Sequence, residues 1–216
     1  MSSARKIIAD SSGSDTRQHL LDAAERLFAD HGLNNVSLRQ VNTAAGQKNS
    51  GSVHYHFGSR EALLKGLLER RMSVLDQERL TFLKSSAIEG ALPQDLLRAM
   101  SEPLVLRVNV SRDWQSYALI ARELLEFRHQ AYRPLWLSHY DQGAQKLFGA
   151  LRHHAPECPD DRWRIAVNET TLVGLGLIAD RAQKLIEGSD APMLEASAFS
   201  DHLAWLQSQI LLCDLA

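Results

Sequence analysis

Apolar residues recur at helical spacing along almost the whole chain, and this periodicity restricts the fold more than any other feature. In the first such segment they are Leu20, Ala23, Ala24, Leu27 and Phe28. The same spacing continues in later segments at 94–110, 113–129, 132–154, 160–187 and 195–213. Residues three or four apart share one face of an α-helix, whereas a half-buried strand alternates apolar and polar residues, and no such alternating run with hairpin turns occurs. The sequence therefore predicts an all-α protein with about nine helices.

Turn and capping signals divide the first part of the chain into short helices. Gly32 is placed to end the first helix, and Ser37, with a Gln three residues later, has the pattern of a capping box. Gly46 ends the second helix after about two turns. A third short helix is predicted to begin near residues 49–50, and Ser59 caps a fourth. Two short helices joined by a glycine turn, behind a longer first helix, have the form of a helix-turn-helix.

Charged residues are distributed unevenly along the chain. Residues 1–71 hold 10 Lys and Arg against 7 Asp and Glu, and the remainder hold 14 against 19. Between His31 and Arg60 there is no Asp or Glu. The second helix of a helix-turn-helix enters the DNA major groove, where a carboxylate would face phosphates at close range. This composition favours a DNA-binding first part, with chance segregation of solvated charges as the alternative.

Donor side chains occupy the predicted third helix and the turn before it. Lys48 and Asn49 can donate to phosphates or base edges, and Tyr55 and His56 can do the same. His54 and His56 could also suggest a metal site, but a third ligand is missing nearby. We therefore expect a DNA-facing surface and no metal.

Three motifs in order resemble the N-terminal domain of TetR-family transcriptional regulators. They are TRQHLLDAAERLFADHG, VSLRQVNTAAG and YHFGSREALL, within about residues 16–70. The resemblance implies phosphate contacts from the second helix, base contacts from the turn and third helix, and a phosphate contact at the start of the fourth. The implied DNA-binding residues are Ser37, Arg39, Gln47, Lys48, Asn49, Ser50, Ser52, His54, Tyr55, His56 and Arg60.

Two positions depart from the pattern of that family. Asn42 stands where a small apolar residue is usual. The turn between Gly46 and the pair Tyr55 and His56 is one residue longer than the commonest form. These departures affect the packing of the second helix and the register of the base contacts.

The same resemblance implies that the rest of the chain forms a ligand cavity and a dimer interface. The segment RIAVNETTLVGLGLIADRAQKLI is apolar nearly all round, and AFSDHLAWLQSQILL carries an apolar stripe. A helix that is apolar on every side must be buried on every side, by a second copy or by an intramolecular core. The predicted interface residues are Leu172, Gly174, Gly176, Ile178, Phe199, Leu203, Leu206 and Ile210.

Aromatic residues with polar neighbours concentrate in the middle of the chain, where they could line a cavity or belong to the core. The predicted effector-binding residues are Trp114, Tyr117, Arg122, Phe127, Trp136, His139, Tyr140, Asn168, Thr171 and Leu175. Because polar groups are few among them, the expected effector is a small, largely apolar organic molecule that releases a repressor from its operator.

The expected organisation is a disordered arm at 1–14, a helix-turn-helix domain at 15–58 and a helical effector-binding and dimerisation domain at 59–216, with a linking helix at 59–84.

No apolar run reaches the roughly 20 residues that span a bilayer, and the N-terminus lacks the apolar region of a secretory signal. Cys158 and Cys213 have no metal-ligand spacing. We expect a cytoplasmic protein without cofactor, metal or catalytic residue, whose partners are duplex operator DNA, a second copy and the effector. The alternatives are a small α-helical enzyme or ligand carrier, and a DNA-binding adaptor controlled by a protein partner.

Overall fold

The computed structural model describes residues 2–49, 51–85, 90–125 and 142–212, and of residues 2–14 the backbone alone. Within these residues lie nine α-helices, one short 3₁₀ helix at Leu33–Asn35, and no β-strand. The helices are α1 Ser2–His31, α2 Leu38–Ala44, α3 Ser52–Phe57, α4 Arg60–Lys84, α5 Pro93–Val110, α6 Arg112–Leu125, α7 Gln142–Arg152, α8 Asp160–Glu187 and α9 Ala196–Leu212. The predicted all-α class is confirmed.

Helix boundaries agree closely with the predicted segments. The ends of α5, α8 and α9 lie within about one residue of the predicted ends, well inside the usual uncertainty of helix termini. α7 ends at Arg152, before the predicted end at 154. Residues 126–129 and 132–141 of two predicted helices lie outside the described residues.

The chain divides into two compact units, Met1–Glu69 and Arg70–Ala216, and the division falls within the sequence of α4. The boundary expected from the sequence lies after residue 58. The sequence also predicts a disordered arm at 1–14, whereas the backbone of residues 2–14 is the first part of α1.

In the first unit, α2 and α4 begin where the capping signals place them. Ser37 Oγ accepts a hydrogen bond from Gln40 N at 3.3 Å, and Gln40 Oε1 accepts one from Ser37 N at 2.8 Å, which confirms the predicted capping box. Ser59 Oγ accepts from Ala62 N at 3.1 Å at the start of α4. The apolar faces bury a common core that consists of Leu20, Leu21, Ala24, Phe28, Leu33, Val36, Val41, Val53, Leu63, Leu64, Leu67 and Leu68.

Five helices and the last turns of α4 make up the second unit. α9 packs on α5 and α8, and α6 packs on α8. Its core includes Leu96 and Leu97 of α5, Leu147 and Leu151 of α7 and Leu211 of α9. Within each of these helices, buried residues of this cluster lie four or seven positions apart, as in Leu96 with Met100, Leu147 with Leu151, and Ala204 with Leu211. Burial of one apolar face per helix therefore forms the core.

Candidate nucleic-acid interface and ligand cavity

The helix α3 buries one side and leaves the other in solvent. Val53 is fully buried, and the Phe57 ring lies 4.9 Å beneath the guanidinium of Arg17. Tyr55 is 85% exposed, and its ring meets that of His56 edge to face at 5.0 Å. The phenol of Tyr55 therefore projects into solvent from the middle of the helix.

The turn before α3 is organised by Asn49. Its Oδ1 accepts a hydrogen bond from Gly51 N at 2.9 Å, and its carbonyl oxygen accepts from Ser52 N at 3.2 Å. Gly51 is the N-cap, so α3 begins at Ser52, later than the predicted start at 49–50. The side chain of Lys48 is exposed on this turn.

Two of the predicted DNA-contacting side chains are used by the fold itself. Ser52 is 8% exposed, and its hydroxyl donates to the carbonyl of Asn49 at 2.9 Å. Arg60 donates from Nη1 to the carbonyl of Val36, stacks over the ring of Phe28 at 5.0 Å, and has its Nη2 atom buried. Both side chains therefore bond within the protein, and their DNA contacts stay predictions.

The other predicted DNA-contacting residues of the first unit are spread along α2, the turn and α3. The hydroxyl of Ser37 belongs to the capping box, and His54 Nδ1 lies 3.0 Å from the carbonyl oxygen of Gly58. Gln47 and His56 are half-buried, and Ser50 lies outside the described residues. The exposed members are Ser37, Arg39, Lys48, Asn49, His54 and Tyr55.

The first carboxylate after this surface belongs to Glu61, in the first turn of α4. Hydrogen bonds, first from its own backbone N–H and then from the Ser59 hydroxyl, lower the pKa of this exposed carboxyl. The negative charge therefore lies at the positive end of a helix dipole, a stabilising position.

The residue that sequence reasoning missed in this unit is Asn42. It is 3% exposed on α2, and its Oδ1 accepts a hydrogen bond from the backbone N–H of Val53 at 3.1 Å. Its carbonyl oxygen accepts from Gln47 N at 2.9 Å. The only sequence signal was a polar residue at a position where an apolar one is usual.

A cavity lies among the helices of the second unit. It offers about 80 Å³ to the centres of water-sized molecules. Its polar groups come from Arg79, Ser101, Tyr117, Thr171 and Gln207. The apolar lining consists of Met72, Leu75, Met100, Leu104, Ala144, Phe148, Gly174, Leu175 and Ile178.

Hydrogen bonds order the polar groups of this cavity. Ser101 Oγ donates to Gln207 Oε1 at 2.9 Å, and Gln207 Nε2 donates to the carbonyl of Thr170 at 3.1 Å. Arg79 donates from Nε and Nη2 to the carbonyl of Met100, at 3.1 and 3.0 Å. The lining thus combines a few hydrogen-bonded polar groups with mainly apolar side chains, which suits a ligand that has both characters.

Three of the predicted effector-binding residues, Tyr117, Thr171 and Leu175, line the cavity. Trp114 does not, because its ring is held between the guanidinium groups of Arg71 and Arg107 at 4.8 and 5.2 Å. Arg122 is exposed and Asn168 is half-buried, and neither lines the cavity. The remaining four lie outside the described residues: Phe127, Trp136, His139 and Tyr140. The sequence prediction relied on aromatic residues, and it therefore missed the residues that α4 and α9 contribute to the cavity lining.

The predicted dimer residues separate into an inward and an outward group. Gly174 is buried, and a Cβ at this position would collide with Nε2 of Gln207. The glycine therefore allows α8 to approach α9 of the same chain closely. Ile178 and Leu203 are also buried inside the unit. The side chains of these three positions pack within the chain, and their place in a dimer interface stays a prediction.

The outward group keeps some apolar surface. Leu172 is exposed and Gly176 half-buried on α8. On α9 the ring of Phe199 packs beneath the guanidinium of Arg181 at 4.9 Å, and Leu206 and Ile210 are half-buried. The exposed large apolar side chains on these two helices are Ile165, Leu172 and Trp205.

In the described part of the chain, none of the helices combines the length and apolar character needed to cross a membrane.

Comparison with known sequences identifies a relative along most of the chain and others over shorter stretches. The sequence model described as bacterial regulatory proteins, tetR family, matches residues 20–67. The transcriptional regulator AcrR of Shigella flexneri is 27% identical over 208 residues, which cover 92% of this chain and 91% of that protein. The transcriptional repressor KstR2 of Rhodococcus jostii is 43% identical over 60 residues, or 27% of this chain and 29% of that protein.

Solved structures share the fold. The fatty acid degradation regulator FadR of Bacillus halodurans superposes with a TM-score of 0.63 at 15% identity, over 88% of this chain and 96% of that one. NalD of Pseudomonas aeruginosa, the secondary repressor of an efflux pump, superposes with a TM-score of 0.58 at 23% identity, over 94% and 99%. Residues 20–67 therefore form a helix-turn-helix domain of the tetR family of bacterial regulatory proteins, and the chain is similar to a transcriptional regulator along most of its length.

Proposed function

We propose that the protein is a homodimeric transcriptional repressor, which binds duplex operator DNA through α3 and the turn before it and is released by a small, largely apolar organic molecule. The observation that carries the proposal is the exposed surface of Lys48, Asn49, His54 and Tyr55, in a stretch without a carboxylate. Positive and hydrogen-bonding groups without carboxylates suit a polyanion, because a carboxylate on this surface would be repelled by phosphates.

Repression is the sign of regulation that the relatives support. KstR2 of Rhodococcus jostii and AcnR of Corynebacterium glutamicum are named as repressors. A repressor needs only to occupy its operator, and the surface of α3 is suited to that task. For this chain we therefore propose that DNA binding itself is the regulatory act.

The effector site that we propose is the cavity of the second unit. Its polar side chains Arg79, Ser101 and Gln207 would anchor one acidic or hydroxyl group, and the apolar side chains of the lining would hold the rest of the molecule. The space of about 80 Å³ is small for a drug-sized ligand, so such a ligand would favour a form with a wider cavity. A ligand that binds one conformation better than another shifts the population toward it, which release from DNA requires.

The experiment has two arms. In the first, the protein selects duplexes from a randomised library, and a band shift at moderate salt compares a selected duplex with a scrambled one. We expect a specific shift at least about a thousandfold tighter than the non-specific binding. Equal binding of the two duplexes would contradict the proposed function and favour an enzyme or ligand carrier.

The second arm screens amphipathic organic compounds for release of the selected duplex. Leu175→Trp would fill the cavity and should abolish the response, whereas Leu106→Trp, at an exposed site on α5, should leave it unchanged. The narrow cavity is also the observation that favours a DNA-binding adaptor controlled by a protein partner. Specific DNA binding that no compound releases would support the adaptor.

A further inference from the structure

The recognition helix α3 has an unusual start. It contains only six residues, and its N-cap is Gly51, which has no side chain to accept a hydrogen bond. The first N–H groups of any α-helix lack partners within the helix, and a cap residue normally supplies an acceptor to the second or third of them. A helix this short is not stable by itself, so its position depends on the contacts that hold its ends.

The missing cap is supplied by another helix. Counting from Gly51, Val53 is the second helical residue, and its N–H donates to Oδ1 of Asn42 on α2 at 3.1 Å. This is the donor that an N-cap side chain would satisfy. Because both residues are buried, water cannot replace the acceptor.

Asn42 also holds the other end of the turn. Its carbonyl oxygen accepts the N–H of Gln47 at 2.9 Å, just after Gly46 ends α2. The side-chain and main-chain oxygens of one residue thus fix where the turn leaves α2 and where α3 begins. Hydrogen bonds restrict distance and direction together, so α3 can neither slide along α2 nor rotate without losing the bond at Val53.

We propose that Asn42 is a positioning residue for DNA recognition: by capping α3 from the neighbouring helix, it sets the register in which His54 and Tyr55 face the operator. This role joins the two departures from the family pattern. The longer turn ends at Gly51, the cap of α3, and the polar residue at position 42 provides the acceptor that this glycine lacks. A small apolar residue at position 42 would leave the N–H of Val53 buried without this acceptor. The part of the inference that concerns DNA rests on the proposed function.

The test compares Asn42→Ala and Asn42→Asp with Asn35→Ala. Asp keeps an acceptor oxygen at the same distance from the backbone. Asn35 is the matched control, since it is an exposed Asn of the same unit whose Nδ2 donates to the carbonyl of His31 at 2.8 Å. Hydrogen exchange of the Val53 amide is measured in the free protein, and binding to a duplex selected by the parent protein is measured over a range of salt concentrations.

We expect Asn42→Ala to accelerate Val53 exchange and to weaken binding of the selected duplex by about tenfold, as the loss of a buried acceptor implies. The dependence of affinity on salt should stay unchanged, because no phosphate contact is removed. Asn42→Asp should keep Val53 protected, and Asn35→Ala should match the parent protein in both measurements.

Three results would overturn the inference. Unchanged Val53 exchange in Asn42→Ala would show that the side chain is not the cap, and loss of protection in Asn42→Asp would assign the effect to packing instead of the acceptor. Faster exchange with unchanged binding of the selected duplex would leave Asn42 without a role in recognition. Should the parent protein select no duplex at all, the proposed function fails, while Val53 exchange still decides whether Asn42 is the cap.

Discussion

Polar side chains of the first unit either hold the backbone or remain on the surface, and the structure separates the two groups. Ser37, Asn49 and Ser52 use an oxygen to cap or close a turn. Lys48 and Tyr55 extend from the same region into solvent. Ser and Asn are favoured at helix caps and can also donate to phosphates, so the sequence alone could not assign these residues to one role.

We expect Lys48→Ala and Tyr55→Ala to weaken DNA binding without loss of thermal stability, since both side chains are exposed. If Lys48 binds a phosphate, its loss should weaken binding to all duplexes alike and lower the salt slope by about one for each bound subunit. The measurement is a band shift from about 50 to 200 mM salt. Lys146→Ala is the control, because it removes the same charge from an exposed site on α7. Parent-like binding by both variants would mean that the DNA surface lies elsewhere.

Arg60 offers a test of a structural role against a phosphate contact. Arg60→Lys keeps the positive charge but cannot donate to Val36 in the same geometry while stacking on Phe28. We therefore expect a loss of stability of about 1–2 kcal/mol and an unchanged salt slope of DNA binding. Calorimetry and band shifts measure the two quantities. If Arg60→Lys is as stable as the parent protein, Arg60 has no structural role. If the salt slope is lower for Arg60→Ala than for Arg60→Lys, Arg60 contacts a phosphate.

At the scale of whole helices, local signals predicted the fold well because caps and apolar stripes are local properties. Ser37 and Ser59 begin helices as their patterns indicate, and Gly32 and Gly46 end them with positive φ angles of 82° and 67°. The start of α3 was misplaced because its cap comes from another helix. Tertiary contacts of this kind leave no pattern in the local sequence. The sequence around a buried glycine likewise does not show which helix packs against it.

Gly174 shows this limit and allows a direct test. On the sequence it suggests a close approach by a partner helix, but in the structure the neighbour is Gln207 of α9. Gly174→Ala should displace Gln207 from Thr170 and Ser101, and we expect a cost of about 1–3 kcal/mol. Gly149→Ala is the matched control, because a Cβ at this exposed site on α7 meets nothing within 4 Å. That variant should gain about 0.5–1 kcal/mol.

Denaturant unfolding followed by tryptophan fluorescence reports on the second unit, because all four tryptophans of the sequence lie after residue 113. Equal stability of Gly174→Ala and the parent protein would mean that Gln207 moves aside at no cost. A destabilised Gly149→Ala variant would indicate an unsuspected contact at the surface of α7.

At the scale of the whole molecule, the two units differ in what they leave exposed. The first presents basic and hydrogen-bonding groups around α3, whereas the second leaves apolar side chains exposed on α8 and α9. Isolated apolar residues are normal on protein surfaces, but a set on two packed helices is typical of a protein interface. Two copies related by a two-fold axis would carry two α3 helices and would select DNA with inverted repeats about one helical turn, ~34–36 Å, or more apart.

The proposed dimer can be tested through the exposed residues of α8 and α9. Leu172 is 40% exposed and Trp205 48%, and the ring of His202 stacks on Trp205 at 5.8 Å. Leu172→Asp and Trp205→Asp would each bury an unpaired charge in the interface at a cost of several kcal/mol, so the dimer dissociation constant should rise at least about a hundredfold. Leu106→Asp places the same charge at a similarly exposed site on α5 and should leave assembly unchanged.

Sedimentation velocity at micromolar concentration measures the oligomeric state of the three variants and the parent protein. Loss of the dimer should be accompanied by loss of tight binding to inverted repeats, because a single α3 helix makes only half of the contacts. Binding of one isolated half-site should change little, since the surface of the first unit is untouched. A monomeric parent protein, or variants that remain dimeric, would place the interface on other surfaces of the chain.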